Sequence, residues 1–211
     1  MLLVALTGSI ATGKSVVGRF WEQMGCYLFR ADQMAHHLME PGSPAWEKIV
    51  THFGEEVLKS DRRIDRSHLA ERVFASPQDR EFMNVLIHPL VQQQKKEKIK
   101  RLTAEGKFRI FVSEAALTIE AGYASRFHRV VVTVCSPDKQ LERLMQRDGL
   151  TREAALLRIQ SQMPAQEKGE QADYVIRTEG PLTATLEQAE RVYRYLSQDY
   201  RTWFSPEDDP V

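Results

Sequence analysis

Four residues in a fixed spacing dominate the chemistry of this chain: Gly8, then Gly13, Lys14 and Ser15, in the pattern Gly-x-x-x-x-Gly-Lys-Ser. A loop of this kind lines up backbone N–H groups that wrap the phosphates of a nucleotide. A helix starting at its end adds roughly half a positive charge to the same place. Lys14 would reach the β- and γ-phosphates, and the Ser15 hydroxyl would take one position on a magnesium ion. The setting agrees, because a short apolar run, Leu2 to Leu6, leads in and an amphipathic segment leads out. A Gly-rich turn with an incidental lysine would need neither.

Phosphoryl transfer asks a protein to hold phosphates, place a metal, neutralise developing charge and align an attacking oxygen. Further residues suit these tasks. Asp32 follows a second apolar run and reads either as a general base or as an N-cap of the next helix. Glu114 comes two residues after a third run, Phe108 to Val112, and reads either as an acid holding magnesium or as a helix cap. Arg143 and Arg147 are four apart and share a helix face, as lid cations over the phosphates or as a solvated surface. His88 precedes Pro89 in an apolar setting and, taken alone, reads as a core histidine. His36 and His37 are adjacent and cannot share a helix face as metal ligands.

The elements that must position these residues follow from periodicity. Leu2–Leu6, Cys26–Phe29, Phe108–Val112, Arg129–Val134 and Tyr174–Ile176 read as strands. Helical patterns separate them, so the expectation is an α/β fold, a five-stranded parallel sheet with helices on both faces. Ligands then gather at the carboxyl ends of the strands, where the Gly-rich loop, Asp32, Glu114 and the arginine-bearing helix all fall. Val16, Val17, Phe20, Trp21 and Met24 recur at helical spacing, and Gly25 is placed to stop that helix. Ser136-Pro137-Asp138 is a helix start. Between Pro41 and Gly106 only helices are expected: Ala45–Phe53, Ser67–Phe74 and Ser76–Arg101, the last interrupted at Pro89. The domain expectation is a core of residues 1–40 plus 106–200, with a small helical lid at about 138–165 that breaks near Gly149. A helical insertion at 41–105 and a flexible tail at 205–211 complete it.

Composition excludes several classes. The 211 residues are 42% hydrophobic and 27% charged, as in an ordinary soluble globular protein. Lys+Arg and Asp+Glu number 29 each, so no overall field marks a nucleic-acid or membrane partner. Lys95–Arg101 looks basic, but Glu97 and Ile99 break it, and it reads as the wet side of a helix. Trp21, Trp46 and Trp203 are scattered and form no stacking platform. Cys26 and Cys135 lie far apart in apolar runs, which argues against zinc and disulfides and for buried thiols. No run approaches a membrane span. The expectation is a cytoplasmic monomer acting on a small molecule.

The chain resembles the dephospho-CoA kinase family, from about residue 2 to 200. The stretches that carry the likeness are Leu6-Thr-Gly-Ser-Ile-Ala-Thr-Gly-Lys-Ser15, Ala31-Asp32, Glu40-Pro-Gly42 and Leu86-Ile-His-Pro-Leu-Val91. Glu114-Ala-Ala-Leu-Thr-Ile-Glu-Ala-Gly122, Gln140–Arg147, Gln162-Met-Pro164 and Ala172-Asp-Tyr-Val-Ile176 continue it. The resemblance implies transfer of the γ-phosphoryl group of ATP, with Mg2+, to the ribose 3′-hydroxyl of dephospho-CoA. It implies a P-loop core with a helical CoA-binding domain and a lid. Asp32 would be the catalytic base, working with Lys14, Arg143 and Arg147. Gly8 and Ala11, Thr12, Gly13, Lys14, Ser15 and Val16 would lie on the ATP phosphates, with Ser15 and Glu114 toward the metal. His88 and Glu120 would belong to the acceptor side or its support.

Some positions depart from the family pattern. Arg30-Ala31-Asp32 stands where Asp-Ala-Asp is usual, so a guanidinium replaces a carboxylate beside the presumed base. There it would lower the pKa of Asp32, face solvent, or join the substrate side by binding an acceptor phosphate. Val16 leaves Ser15 as the one hydroxyl for magnesium, and Ser9 and Ala11 replace glycines, asking more of the loop backbone. Arg177 stands where Asp or Asn is usual. Two rival readings use the same loop: another P-loop nucleoside or nucleotide kinase, and a non-catalytic nucleotide-dependent switch. The chain has no Asn-Lys-x-Asp, which guanine-specific switches usually carry.

Overall fold

The computed structural model describes residues 1–204, the Phe74 side chain excepted. The expected tail at 205–211 lies outside the described residues. The chain divides into two compact units, one formed by Met1–Arg30 and the chain from Arg101 onward, the other by Ala31–Lys100. The unit boundaries fall at 30/31 and 100/101, so the helical unit begins ten residues earlier than the expected 41–105 and ends five earlier.

The first unit is built on five parallel strands: β1 (Leu2–Thr7), β2 (Tyr27–Arg30), β3 (Ile110–Glu114), β4 (Arg129–Val134) and β5 (Tyr174–Arg177). Their order is β2-β3-β1-β4-β5, so the loop after β1 leaves the centre of the sheet, between β3 and β4. That is where an open α/β sheet binds ligands. Both faces of each strand are covered, which is why the strands read as continuous apolar runs. On one face Leu2, Val4, Leu6, Ile110 and Val112 pack with Val17 and Trp21 of α1 (Lys14–Gln23) and Ala189, Val192 and Leu196 of α9 (Leu182–Trp203). On the other, Ala5, Val130, Val132 and Val134 pack with Ile119 and Ala165. The Trp21 indole N–H donates to Ala189 O at 2.9 Å, satisfying the one polar atom that a fully buried tryptophan brings.

Between β4 and β5 lie α6 (Pro137–Asp148), α7 (Arg152–Gln160) and α8 (Ala165–Glu170). Ser136 caps α6 by accepting from Lys139 N, and Gly149, at φ 65°, ends it. Leu141, Leu144 and Ala155 form a small core of their own, against which Ile10 and Ala11 pack. Both cysteines are buried, and burial pushes the Cys26 thiol up to about 12 and raises that of Cys135. Among the described residues no helix is long and apolar enough to cross a membrane.

The second unit holds α2 (Ala31–Leu38), α3 (Pro44–Phe53), α4 (Arg66–Ala75) and most of α5 (Pro77–Glu105). Ser43 and Asp65 cap α3 and α4 through side-chain bonds to Trp46 N and to Ser67 and His68 N.

Some elements differ from expectation. α5 runs unbroken through Pro89. A proline costs a helix interior about 3 kcal/mol, and the burial of Ile87 and Val91 on either side of it offsets that loss. β3 extends to Glu114, whose polarity hides its strand role, although it pairs with both Leu6 and Arg30. Lys95, expected on a wet face, is only 9% exposed. α9 has no counterpart in the sequence expectations, although its buried Thr185, Ala189, Val192, Leu196 and Tyr200 recur at helical spacing.

Candidate active site

The loop after β1 takes a shape that only small residues allow. Gly8 has φ 143°, and a Cβ there would come within 2.5 Å of Thr133 Oγ1 and 2.6 Å of the Thr133 carbonyl. Gly13, at φ 90°, is the N-cap of α1. Ala11 takes a left-handed φ of 60°, a conformation costing an L-residue roughly 1–2 kcal/mol. The strain foreseen from the missing glycines therefore falls on Ala11, whereas Ser9 is not among the positive-φ residues. Thr12 turns its side chain inward, sharing a hydrogen bond with Thr133 Oγ1 at 2.8 Å. Lys14 donates to Gly8 O at 2.8 Å and Ser9 O at 3.0 Å, so its ammonium lies over the loop.

Ser15 and Glu114 meet across the sheet end: the Ser15 hydroxyl donates to Glu114 Oε1. Glu114 Oε2 is buried with no hydrogen-bond partner among the described residues. Gly18 on α1 leaves space beside it, since a Cβ there would stand 3.1 Å from Oε2. An ionised oxygen buried and unsatisfied is costly, and together with a serine hydroxyl it suits a hard cation that takes oxygen ligands and keeps water in its shell.

Ala11, Gly13, Lys14, Ser15, Arg143 and Arg147 are among the residues lining one cavity of about 470 Å³. Arg143 is anchored there, donating through Nη1 to Thr178 Oγ1 at 3.0 Å and through Nη2 to the Thr178 carbonyl. Thr178 in turn donates to Thr12 O at 2.9 Å, tying the arginine to the loop. Arg147 differs. Its guanidinium is taken by Asp148 at 2.7 Å, which raises its pKa further and holds the Asp148 carboxyl below the usual range.

Two glutamines that the sequence analysis used only as family markers brace the loop. Gln162 Oε1 accepts from Ile10 N at 2.8 Å, and Gln140 Nε2 donates to Ile10 O at 2.7 Å, so the backbone N–H and C=O of one loop residue are both held by side chains. Ser9 Oγ donates to Met163 O at 2.7 Å. The signal in the sequence is a glutamine within an apolar helix face: Gln140 is only 3% exposed, flanking Leu141 and Leu144.

Glu120, expected at the acceptor side or its support, is engaged in the first unit by Lys168 at 2.7 Å and by Met163 N at 3.2 Å. Arg30 pairs with Glu22 of α1 at 2.6 Å. In the second unit, Asp32 lies inside the first turn of α2. The helix has already started at Ala31, so the N-cap reading fails, although a carboxylate there still complements the helix dipole. His88 is half-buried on α5, and burial lowers its pKa against the opposing charge of Glu81. Its neighbours Leu86 and Pro89 line an apolar cavity of about 460 Å³ with Pro44, Phe82 and Val85.

The chain is similar to known kinases in sequence and in fold. A dephospho-CoA kinase from Syntrophus aciditrophicus is 35% identical over 201 residues, covering 95% of this chain and 86% of that one. The solved dephospho-CoA kinase of Campylobacter jejuni superposes with a TM-score of 0.67 at 29% identity, covering 93% of this chain and 98% of that one. Shikimate kinase from Acinetobacter baumannii shares the fold, with a TM-score of 0.51 at 16% identity, covering 94% of each chain. The sequence profile of dephospho-CoA kinases matches residues 2–184, and on these grounds the chain belongs to the dephospho-CoA kinase family.

Proposed function

We propose that the chain transfers the γ-phosphoryl group of ATP to the ribose 3′-hydroxyl of dephospho-CoA, the last step of coenzyme A synthesis. The observation that carries this reading is one cavity lined by the Gly-rich loop, Lys14, Ser15 and Arg143, in a chain matching the family over residues 2–184. The loop amides from Ala11 to Val16 and the start of α1 hold the phosphates. Lys14 neutralises charge at the β/γ bridge and Arg143 stabilises the group in flight, which is the electrostatic part of the barrier.

Asp32, two residues past the carboxyl end of β2, takes the proton of the attacking hydroxyl. Ser15 and Glu114 would hold Mg2+, which when bound offsets charge on the β- and γ-phosphates. Arg147, already paired with Asp148, has a lesser part than Arg143. Arg30 and Glu120 support the fold rather than the acceptor, since each is taken by a neighbour in the first unit. The helical unit, with His88 beside its apolar cavity, supplies the acceptor platform, α6 and α7 form the lid, and the enzyme works as a cytoplasmic monomer.

A coupled assay of ADP release tests the reading, offering dephospho-CoA, AMP, dTMP and shikimate in turn. Release is expected with dephospho-CoA. Turnover of AMP or dTMP without turnover of dephospho-CoA would overturn the acceptor assignment, and slow hydrolysis that no acceptor stimulates would favour a switch.

A further inference from the structure

Lys168 of α8 has no exposed surface. Burial lowers its pKa below that of an ordinary lysine, against the opposing pull of Glu120. A methionine would fill the same space without the cost of stripping water from an ammonium. What the ammonium does is visible in its two acceptors: Nζ donates to Ala116 O at 2.7 Å and pairs with Glu120 Oε1 at 2.7 Å.

Each acceptor leads on to the phosphate loop. Ala116 O also accepts from Thr7 Oγ1 at 3.2 Å, and Thr7 is the residue immediately before Gly8. Glu120 Oε1 also accepts from Met163 N at 3.2 Å, and Met163 O accepts from Ser9 Oγ at 2.7 Å. Thr7 is fully buried and Ser9 is 1% exposed, so water does not substitute for these bonds. The residues on both sides of Gly8 are therefore secured by groups that a single buried cation holds in place.

We propose that Lys168 is a positioning residue for the phosphate loop, acting through Ala116 and Thr7 on one side of Gly8 and through Glu120, Met163 and Ser9 on the other. It touches no phosphate. Its work is to fix the loop before nucleotide arrives, so that the backbone N–H groups spend no binding energy on ordering. The inference rests on the loop binding a nucleotide and is independent of which acceptor is phosphorylated.

The test is ADP binding by calorimetry, which needs no acceptor and so fails separately from the reading above. Lys168→Met, Ser9→Ala and the double variant are compared at a temperature well below each melting point. Lys168→Met is expected to weaken ADP at least about fivefold, and the double variant no further than Lys168→Met alone, because Ser9 acts through the same chain. A melting point that falls while ADP affinity stays within about twofold would make Lys168 a fold stabiliser only, and multiplicative effects in the double variant would break the link to Ser9. If Lys168→Met does not fold, Thr7→Val with Ser9→Ala leaves the ion pair intact and cuts both branches. That pair is expected to weaken ADP at least about fivefold, and unchanged affinity would overturn the proposal.

Discussion

The Ser15 hydroxyl donates to one carboxylate oxygen of Glu114, and the other oxygen of that carboxylate is buried with no hydrogen-bond partner among the described residues. An unmet buried acceptor costs about 1–3 kcal/mol, and more when it is charged. The strand pairing of Glu114 with both Leu6 and Arg30 prevents the side chain from swinging out to water by local fraying. Cation binding at this oxygen would relieve the cost. Replacing Glu114 by Gln keeps the shape and removes the charge. The magnesium concentration for half-maximal turnover is expected to rise at least about tenfold, while the metal-free variant melts no lower than wild type. An unchanged magnesium titration would remove Glu114 from the metal.

Asp32 and Lys14 separate chemistry from binding. Asp32→Asn and Lys14→Ala are each expected to lower turnover at least about 100-fold, the scale of a positioned acid–base or charge-stabilising group. The Asp32 variant should still bind ADP and the Lys14 variant should bind it poorly, which calorimetry distinguishes. Near-normal turnover of Asp32→Asn would mean that another group is the base.

Arg30 replaces a carboxylate usual in the family, yet its guanidinium is held by Glu22 with both side chains partly exposed, 27% and 44%. Such an ion pair is worth about 0–1 kcal/mol. Arg30→Asp should therefore lower the melting temperature by only a few degrees and leave turnover equal or improved. Adding Glu22→Lys should recover the stability. Complete loss of turnover in Arg30→Asp would return Arg30 to the substrate side.

His128 makes stability depend on pH in a definite direction. Its Nδ1 accepts from Leu3 N at 2.8 Å, so the ring must be unprotonated there. Burial first, then the chain's amino terminus and Arg129, lower its pKa. Below about pH 6.5 the unfolded chain binds a proton that the fold refuses. Stability should fall as pH drops from about 6.5 toward the lower folded value, and this contribution is flat beneath it. His128→Asn, whose amide oxygen can accept from Leu3, should melt with a shallower pH slope across that window. Identical slopes would show that His128 contributes nothing to it.

What could be read from residues alone divides along a physical line. Strand runs and the Gly-rich loop are local patterns, and the five-stranded parallel sheet followed from them, whereas the strand order that puts the loop at its centre is set by long-range pairing. Glu114 was readable as an acid near a strand end, but not as a strand residue, because polarity is the usual mark of a strand's end and here a neighbour on each side pairs with it. The continuous helix through Pro89 depended on burial of Ile87 and Val91, a tertiary fact. The anchoring of Arg143 on Thr178 and the grip of Gln140 and Gln162 on Ile10 join residues 35, 130 and 152 positions apart, which no periodicity expresses.

The two thiols, both buried and both made weaker acids by that burial, have a practical consequence. Alkylating reagents attack thiolates, so at neutral pH neither Cys26 nor Cys135 competes for them. A single cysteine introduced at Leu157, which is 69% exposed on α7, can therefore be labelled in the otherwise natural chain. A fluorophore there would test whether α7 moves when nucleotide arrives, without first replacing the two natural cysteines.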